Sequence, residues 1–331
     1  MDKTVITIVG LGQIGTSIGL ALEKHGERLE RIGHTRQNGQ ANHAKKIGAV
    51  DKTVLNLPSS VRKADIVILA LPVDQVQDVV ELIAPDLKEG VVVLDTSPAR
   101  EAISEWMLDK LPAGRFYIGF TPVLNPRMLE TARGGIREAD ALLFQDGMFA
   151  ITSPINTSNH ALKVASDLAM MLDALPLFAD MVEVDSYISK VHVLPLLLAA
   201  SLANVTIGTP GWHEGRKMSG RAYAQLTNLL SSMDPAGAIA LAAQLNKDHV
   251  LRSLDAVIEE LQGMRDELAA DANEALMNRV EQASEGRRRW WQERQQVEWV
   301  TEAGGNMDFS NVGNSFGQLF GYGNPPPKRK R

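Results

Sequence analysis

Three glycines open the chemistry of this chain, in the run Val9-Gly10-Leu11-Gly12-Gln13-Ile14-Gly15. Their Gly-x-Gly-x-x-Gly spacing follows a β-branched run over 4–9 and precedes a helical pattern that reaches about residue 24. In that setting Gly10 makes a tight turn, Gly12 lets the backbone approach a pyrophosphate, and Gly15 lets helix and strand pack closely. Leu11, Gln13 and Ile14 complete the turn. The helix that begins there offers free N–H groups and the positive end of its dipole to an anion. A second group stands some 20 residues on, where an NAD-selecting site carries an acid. This chain has Gly33-His34-Thr35-Arg36 instead. Thr35 can hydrogen-bond without repelling a phosphate, and Arg36 can fork onto a 2′-phosphate, so the expected cofactor is NADP(H) ahead of NAD(H). Two further strand ends, Leu71-Pro72-Val73 and Asp95-Thr96-Ser97-Pro98, would border the nicotinamide half of such a ligand.

Those groups need a frame. Short apolar runs over 28–33, 66–71, 91–95, 116–120 and 148–151 read as strands, with helical spacing over 41–47, 76–83 and 101–111. Continuous apolar strands separated by helices imply a parallel sheet covered on both faces. The expectation is an α/β Rossmann domain, doubly wound, over 1–155. Beyond it the strands stop. Helical periodicity over 158–175, 185–205, 222–230, 236–245 and 249–270 predicts an all-α domain within 156–300. The 185–205 helix is too apolar for one small bundle to bury, which predicts a homodimer through this domain. Arg287-Arg288-Arg289-Trp290-Trp291 reads as a helix whose tryptophans pack while its arginines snorkel. Residues 303–331, rich in Gly, Asn and Pro and ending in Lys328-Arg329-Lys330-Arg331, have the composition of a disordered tail.

Composition narrows the class. The 331 residues include no cysteine, which removes disulfides, thiolate nucleophiles and cysteine-held metals. Spacing suited to a metal site is absent as well. A formal charge of −6 argues against a general nucleic-acid surface. The apolar stretch 191–207 carries His192, Pro195 and Asn204 and falls short of the ~20 residues a span needs, so no membrane partner is expected. The first residues lack a basic segment before an apolar core, and the expected location is cytoplasmic.

Taken together, these motifs resemble the prephenate/arogenate dehydrogenase family. The resemblance runs over about 4–270. It rests on the glycine run with Thr16-Ser17, Ala70-Leu71-Pro72-Val73, Asp95-Thr96-Ser97, Ile118-Gly119-Phe120-Thr121-Pro122, Leu194-Pro195-Leu196-Leu197-Leu198-Ala199, Gly211-Trp212-His213-Glu214 and Asn246-Lys247-Asp248. It implies an NADP-dependent oxidative decarboxylation on the way to tyrosine, acting on a small carboxylic acid, prephenate or arogenate. It also implies a helical dimerisation domain like that of 6-phosphogluconate dehydrogenase. The family's catalytic histidine, which accepts the ring-hydroxyl bond as hydride leaves, falls on Thr121. Its serine after the third strand end falls on Pro98, beside Ser97. The histidines of its Ser-His-Leu-Pro-His segment fall on Val193 and Leu196, beside His192, and the carboxylate-binding arginine falls on Lys217, flanked by Arg216 and near Arg221. Threonine cannot be a base, and His192 is the available imidazole. Two other readings stay open: a dehydrogenase or reductase of another small acid, and an NADP-binding protein without catalysis.

Overall fold

A computed structural model describes residues 3–129, 135–232 and 234–296. Strand β1 (Thr4–Val9) leads through the glycine turn into α1 (Gln13–Ala21). Then come β2 (Leu29–His34), α2 (Asn38–Lys46), β3 (Lys52–Thr53), α3 (Leu57–Val61), β4 (Ile66–Leu69), α4 (Val76–Ile83), β5 (Val92–Asp95), α5 (Glu101–Lys110) and β6 (Phe116–Val123). After β7 (Met148–Thr152), α6 (Asn159–Met171) and β8 (Leu175–Phe178) complete one sheet in the order β3-β2-β1-β4-β5-β6-β7-β8. Every pairing is parallel except β6 with β7.

The pleat explains the apolar runs. In β4, Ile66 and Ile68 join the core layer under α1 and α6, while Val67 and Leu69 join the layer under α4 and α5. Successive side chains point to opposite faces, so a strand covered on both sides must be apolar at every position. The sheet takes in α6 and β8, past the expected boundary at 155. β8 escaped prediction because Leu175-Pro176-Leu177-Phe178 is four residues with a proline, a pattern that demotes a strand. β6 also runs beyond the expected 120, which brings Thr121 into the ladder opposite Ala150.

Helices fill the rest: α7 (Met181–Ile188), α8 (Leu194–Ile207), α9 (Trp212–Met218), α10 (Arg221–Ser232), α11 (Ala236–Leu245), α12 (Lys247–Ala269) and α13 (Asn273–Gln296). The single helix expected over 185–205 is divided. Between α7 and α8 lies a π turn, Ser189–Val193. Pro195 stands just after it and has no N–H to donate to the carbonyl one turn back, so the winding there is locally free to widen.

One segment fastens the helices to the sheet. The Asp185 carboxylate of α7 accepts the backbone N–H of Arg100 at 2.6 Å and of Glu101 at 3.0 Å, capping α5 from the other part of the chain. Asn246 donates its side-chain amide to the Pro98 carbonyl at 2.9 Å. Arg100 is wholly buried and holds Asp95 through Nη2 to Oδ2 at 2.9 Å.

Candidate active site

The glycine turn has the geometry its spacing implies. Gly10 has φ +99°, and a Cβ there would stand 2.1 Å from the Ala70 carbonyl oxygen. A Cβ on Gly15 would stand 2.0 Å from the Gly10 oxygen. A Cβ on Gly12 would meet nothing within 4 Å among the described residues, which leaves an open cradle at the head of α1. Gly12 is the N-cap, no side chain caps the helix, and its first turn holds no acid. These exposed N–H groups suit a diphosphate. Leu11 is buried under the turn, while Gln13 and Ile14 are half-buried at its rim.

The neighbouring strand ends line up beside it. β1, β4, β5 and β6 pair in register, which sets the glycine turn, Leu71-Pro72-Val73, Thr96 and Thr121 along one carboxyl edge. Thr96 Oγ1 donates to the Leu69 carbonyl at 3.1 Å, tying two of these ends together. Thr121 Oγ1 is buried and has no hydrogen-bond partner among the described residues. Ser97 is 2% exposed, and its hydroxyl is spent on Asp95. At the other side of the turn, Thr35 Oγ1 donates to Gln40 Oε1 at 3.1 Å, and Arg36 is exposed next to it.

His192 lies in the π turn, half-buried. α11 packs against both this turn and the short 3₁₀ turn Val73–Gln75 that follows β4, which links His192 to the carboxyl edge. Withdrawal from water holds the His192 ring below the usual imidazole range, and Asp234 pulls the other way. Asp234, just ahead of α11, is itself pushed up by withdrawal from water; His192 opposes that shift and Asp74 adds to it. An imidazole, two carboxylates and the strand edge therefore share one electrostatic neighbourhood. Asp234 and Asp74 escaped sequence reasoning because they sit on separate links; the only local sign was Asp234-Pro235 ahead of a helix, a cap-like pair.

The expected carboxylate-binding trio is placed elsewhere. Lys217, Arg216 and Arg221 are exposed on α9 and the start of α10, and Lys217 is paired with Glu214 at 2.6 Å. α10 packs along α8. Within one copy, the structure does not bring the trio to the carboxyl edge.

Residues 18–175 match the family model described as prephenate dehydrogenase, nucleotide-binding domain. Prephenate dehydrogenase of Bacillus subtilis is 25% identical over 265 residues, covering 80% of this chain and 70% of that protein. Prephenate dehydrogenase of Lactococcus lactis is 30% identical over 200 residues, covering 60% of this chain and 52% of the relative. Among solved structures, prephenate dehydrogenase from A. aeolicus in complex with hydroxyphenyl propionate and NAD+ superposes with a TM-score of 0.75 at 17% identity, over 87% of this chain and 99% of that one. Synechocystis arogenate dehydrogenase gives 0.65 at 20% identity, over 87% of this chain and all of that one. At such identities these likenesses establish the fold.

Proposed function

Because residues 18–175 match the model of the prephenate dehydrogenase nucleotide-binding domain, we propose that the chain is a dehydrogenase of that type, acting on prephenate or arogenate with NADP(H) preferred over NAD(H). The observation that carries this is the open cradle over Gly12 at an uncapped helix, beside a strand edge lined by Thr96 and Thr121. Gly10, Gly12, Gln13 and the first N–H groups of α1 would hold the pyrophosphate. Arg36 and Thr35 would take the adenosine end, and Leu71, Pro72, Val73 and Thr96 the nicotinamide end. When bound, the nicotinamide ring supplies the hydride acceptor.

The chain's own task is to orient the acid and to hold one proton in transit. As the ring carbinol loses hydride its hydroxyl proton passes to a base; loss of the carboxylate as CO₂ leaves its bonding pair in the ring, aromatisation drives that loss, and the proton returns to the phenolate oxygen of the product. His192 is that base, kept neutral near pH 7 by its withdrawal from water, with Asp234 stabilising the imidazolium once the proton arrives. Thr121 offers its unpaired hydroxyl to the same substrate oxygen. The acid's carboxylate needs a cation, and Lys217, Arg216 and Arg221 can serve only if a second copy brings them to the cleft. That would give a dimer a role, and it fits the exposed apolar side chains of the helical part, among them Val191 in the π turn, Val205 on α8 and Leu226 on α10.

The test is direct. Purified protein with NADP and either prephenate or arogenate should produce reduced cofactor, followed by absorbance. Tight NADP binding with no turnover on either acid would favour the second reading, a nucleotide-binding protein, for which Thr121 in place of a base is the specific observation.

A further inference from the structure

The last helix returns to the sheet. Near the end of α13, Arg294 is 7% exposed between exposed neighbours, and its Nη2 donates to the Leu124 carbonyl at 2.6 Å. The next residue, Gln295, donates its amide to the Pro126 carbonyl at 3.2 Å. These two carbonyls flank Asn125, and all three residues follow directly on β6, which carries Thr121 and ends at Val123.

Asn125 passes the contact on. It is buried; its N–H donates to the Leu143 carbonyl at 2.8 Å and its side-chain amide to the Leu142 carbonyl at 3.0 Å. Leu142 N–H donates to the Asp140 carboxylate at 2.8 Å. Asp140 N–H donates to the Ser17 hydroxyl of α1 at 3.0 Å, and Gln13 donates to the Glu138 carbonyl at 3.2 Å. A continuous hydrogen-bonded path therefore joins the C-terminal end of α13 to both the rim and the second turn of the helix that heads the phosphate cradle.

We propose that Arg294 is a positioning residue for the dinucleotide: by holding Leu124–Pro126 it sets 138–143 against α1, and so fixes the N–H groups that face the pyrophosphate. This rests on the reading of the glycine turn as the dinucleotide site. A guanidinium withdrawn from water is expensive to keep, and Arg294 is held below its ordinary range by that burial. It spends the charge on a backbone carbonyl at the edge of the site. The pyrophosphate is common to NADP(H) and NAD(H), so the effect on the two must be equal. That separates Arg294 from Arg36.

The experiment titrates full-length wild type, Arg294→Ala, Arg294→Lys and Gln295→Ala with NADPH and with NADH, following nicotinamide fluorescence. Amide hydrogen exchange is measured on the same proteins. Arg294→Ala should raise both dissociation constants by about tenfold, the scale of one charge-assisted hydrogen bond. Arg294→Lys should recover part of the loss, and Gln295→Ala should show a smaller loss of the same kind. Exchange should quicken at Asn125 and Leu142 and stay unchanged in β1 and β5. Unchanged dissociation constants in Arg294→Ala, or a loss confined to NADPH, would overturn the proposal. So would a Gln295→Ala protein that binds as wild type while Arg294→Ala fails to fold. A wild-type chain that binds neither cofactor would overturn the site reading itself, and the positioning role with it.

Discussion

At the scale of single residues, the proposed site depends on how water is kept from an imidazole. With His192 as the proposed base, the ring must be neutral to accept a proton, so turnover should fall on the acid side of its pKa. Burial lowers that pKa, which places the limb below the ordinary 6.5. In His192→Asn the limb should vanish with a loss of about 10²–10⁴ in kcat. Asp234→Asn removes a charge that raises the ring's pKa, so its limb should move further toward acid. A pH–rate series on the three proteins checks both; an unchanged profile in His192→Asn makes the histidine structural. Cofactor choice is argued at the same scale. Arg36→Ala should weaken NADP(H) and leave NAD(H) nearly untouched, by direct titration, and equal losses would remove its assigned role. The glycines were legible in sequence because their constraint is local: a turn, a cradle and a contact within six residues of chain. Asp234 was not, because its meaning depends on α11 lying between the π turn and the end of β4.

At the scale of elements, the 95–101 segment carries the most. It supplies Thr96 to the edge, buries Arg100 against Asp95, and takes its helix cap from α7. A charge this buried is tolerable only while paired, and removing one partner strands the other. Arg100→Met should therefore cost about 3–5 kcal/mol in urea denaturation. A Cβ on Gly119 would come 2.3 Å from Thr152 Oγ1 and 2.7 Å from Arg100 Nη1, so Gly119→Ala should be destabilising through both side chains. Strands β4 and β5 were readable because they are apolar at every position up to the Asp95 that ends β5. The π turn was not, since Ser189-Lys190-Val191-His192-Val193 has helical composition and only the proline downstream hints at a change of winding. Arg100 gave no signal either: a charged residue after a proline reads as a surface loop until Asp95, Asp185 and Gly119 are seen around it.

At the scale of the whole molecule, the helical part presents more apolar surface than one copy covers. Val191 is 75% exposed and Val205 65%. By length and composition Met181–Ile207 is apolar enough to cross a membrane, yet Asp185 within it is spent on capping α5. A second copy is the covering we expect, and light scattering at micromolar concentration should give twice the chain mass; Val205→Glu should shift it toward the single-chain value. The π turn lies within the same apolar stretch. α7 is fixed to the sheet through Asp185, whereas α8 carries part of the exposed apolar face, and the wide turn sits between them like an extra tooth in a gear. Because the wide turn absorbs one extra residue, removing a residue there would close the winding to about 3.6 per turn and leave α8 nearly in phase with α7. Deletion of Val191 should thus leave helix content by circular dichroism and the chain mass by light scattering unchanged while redirecting the imidazole that sits in the turn. Catalysis would fail and assembly would persist, which ties the extra residue to the imidazole alone.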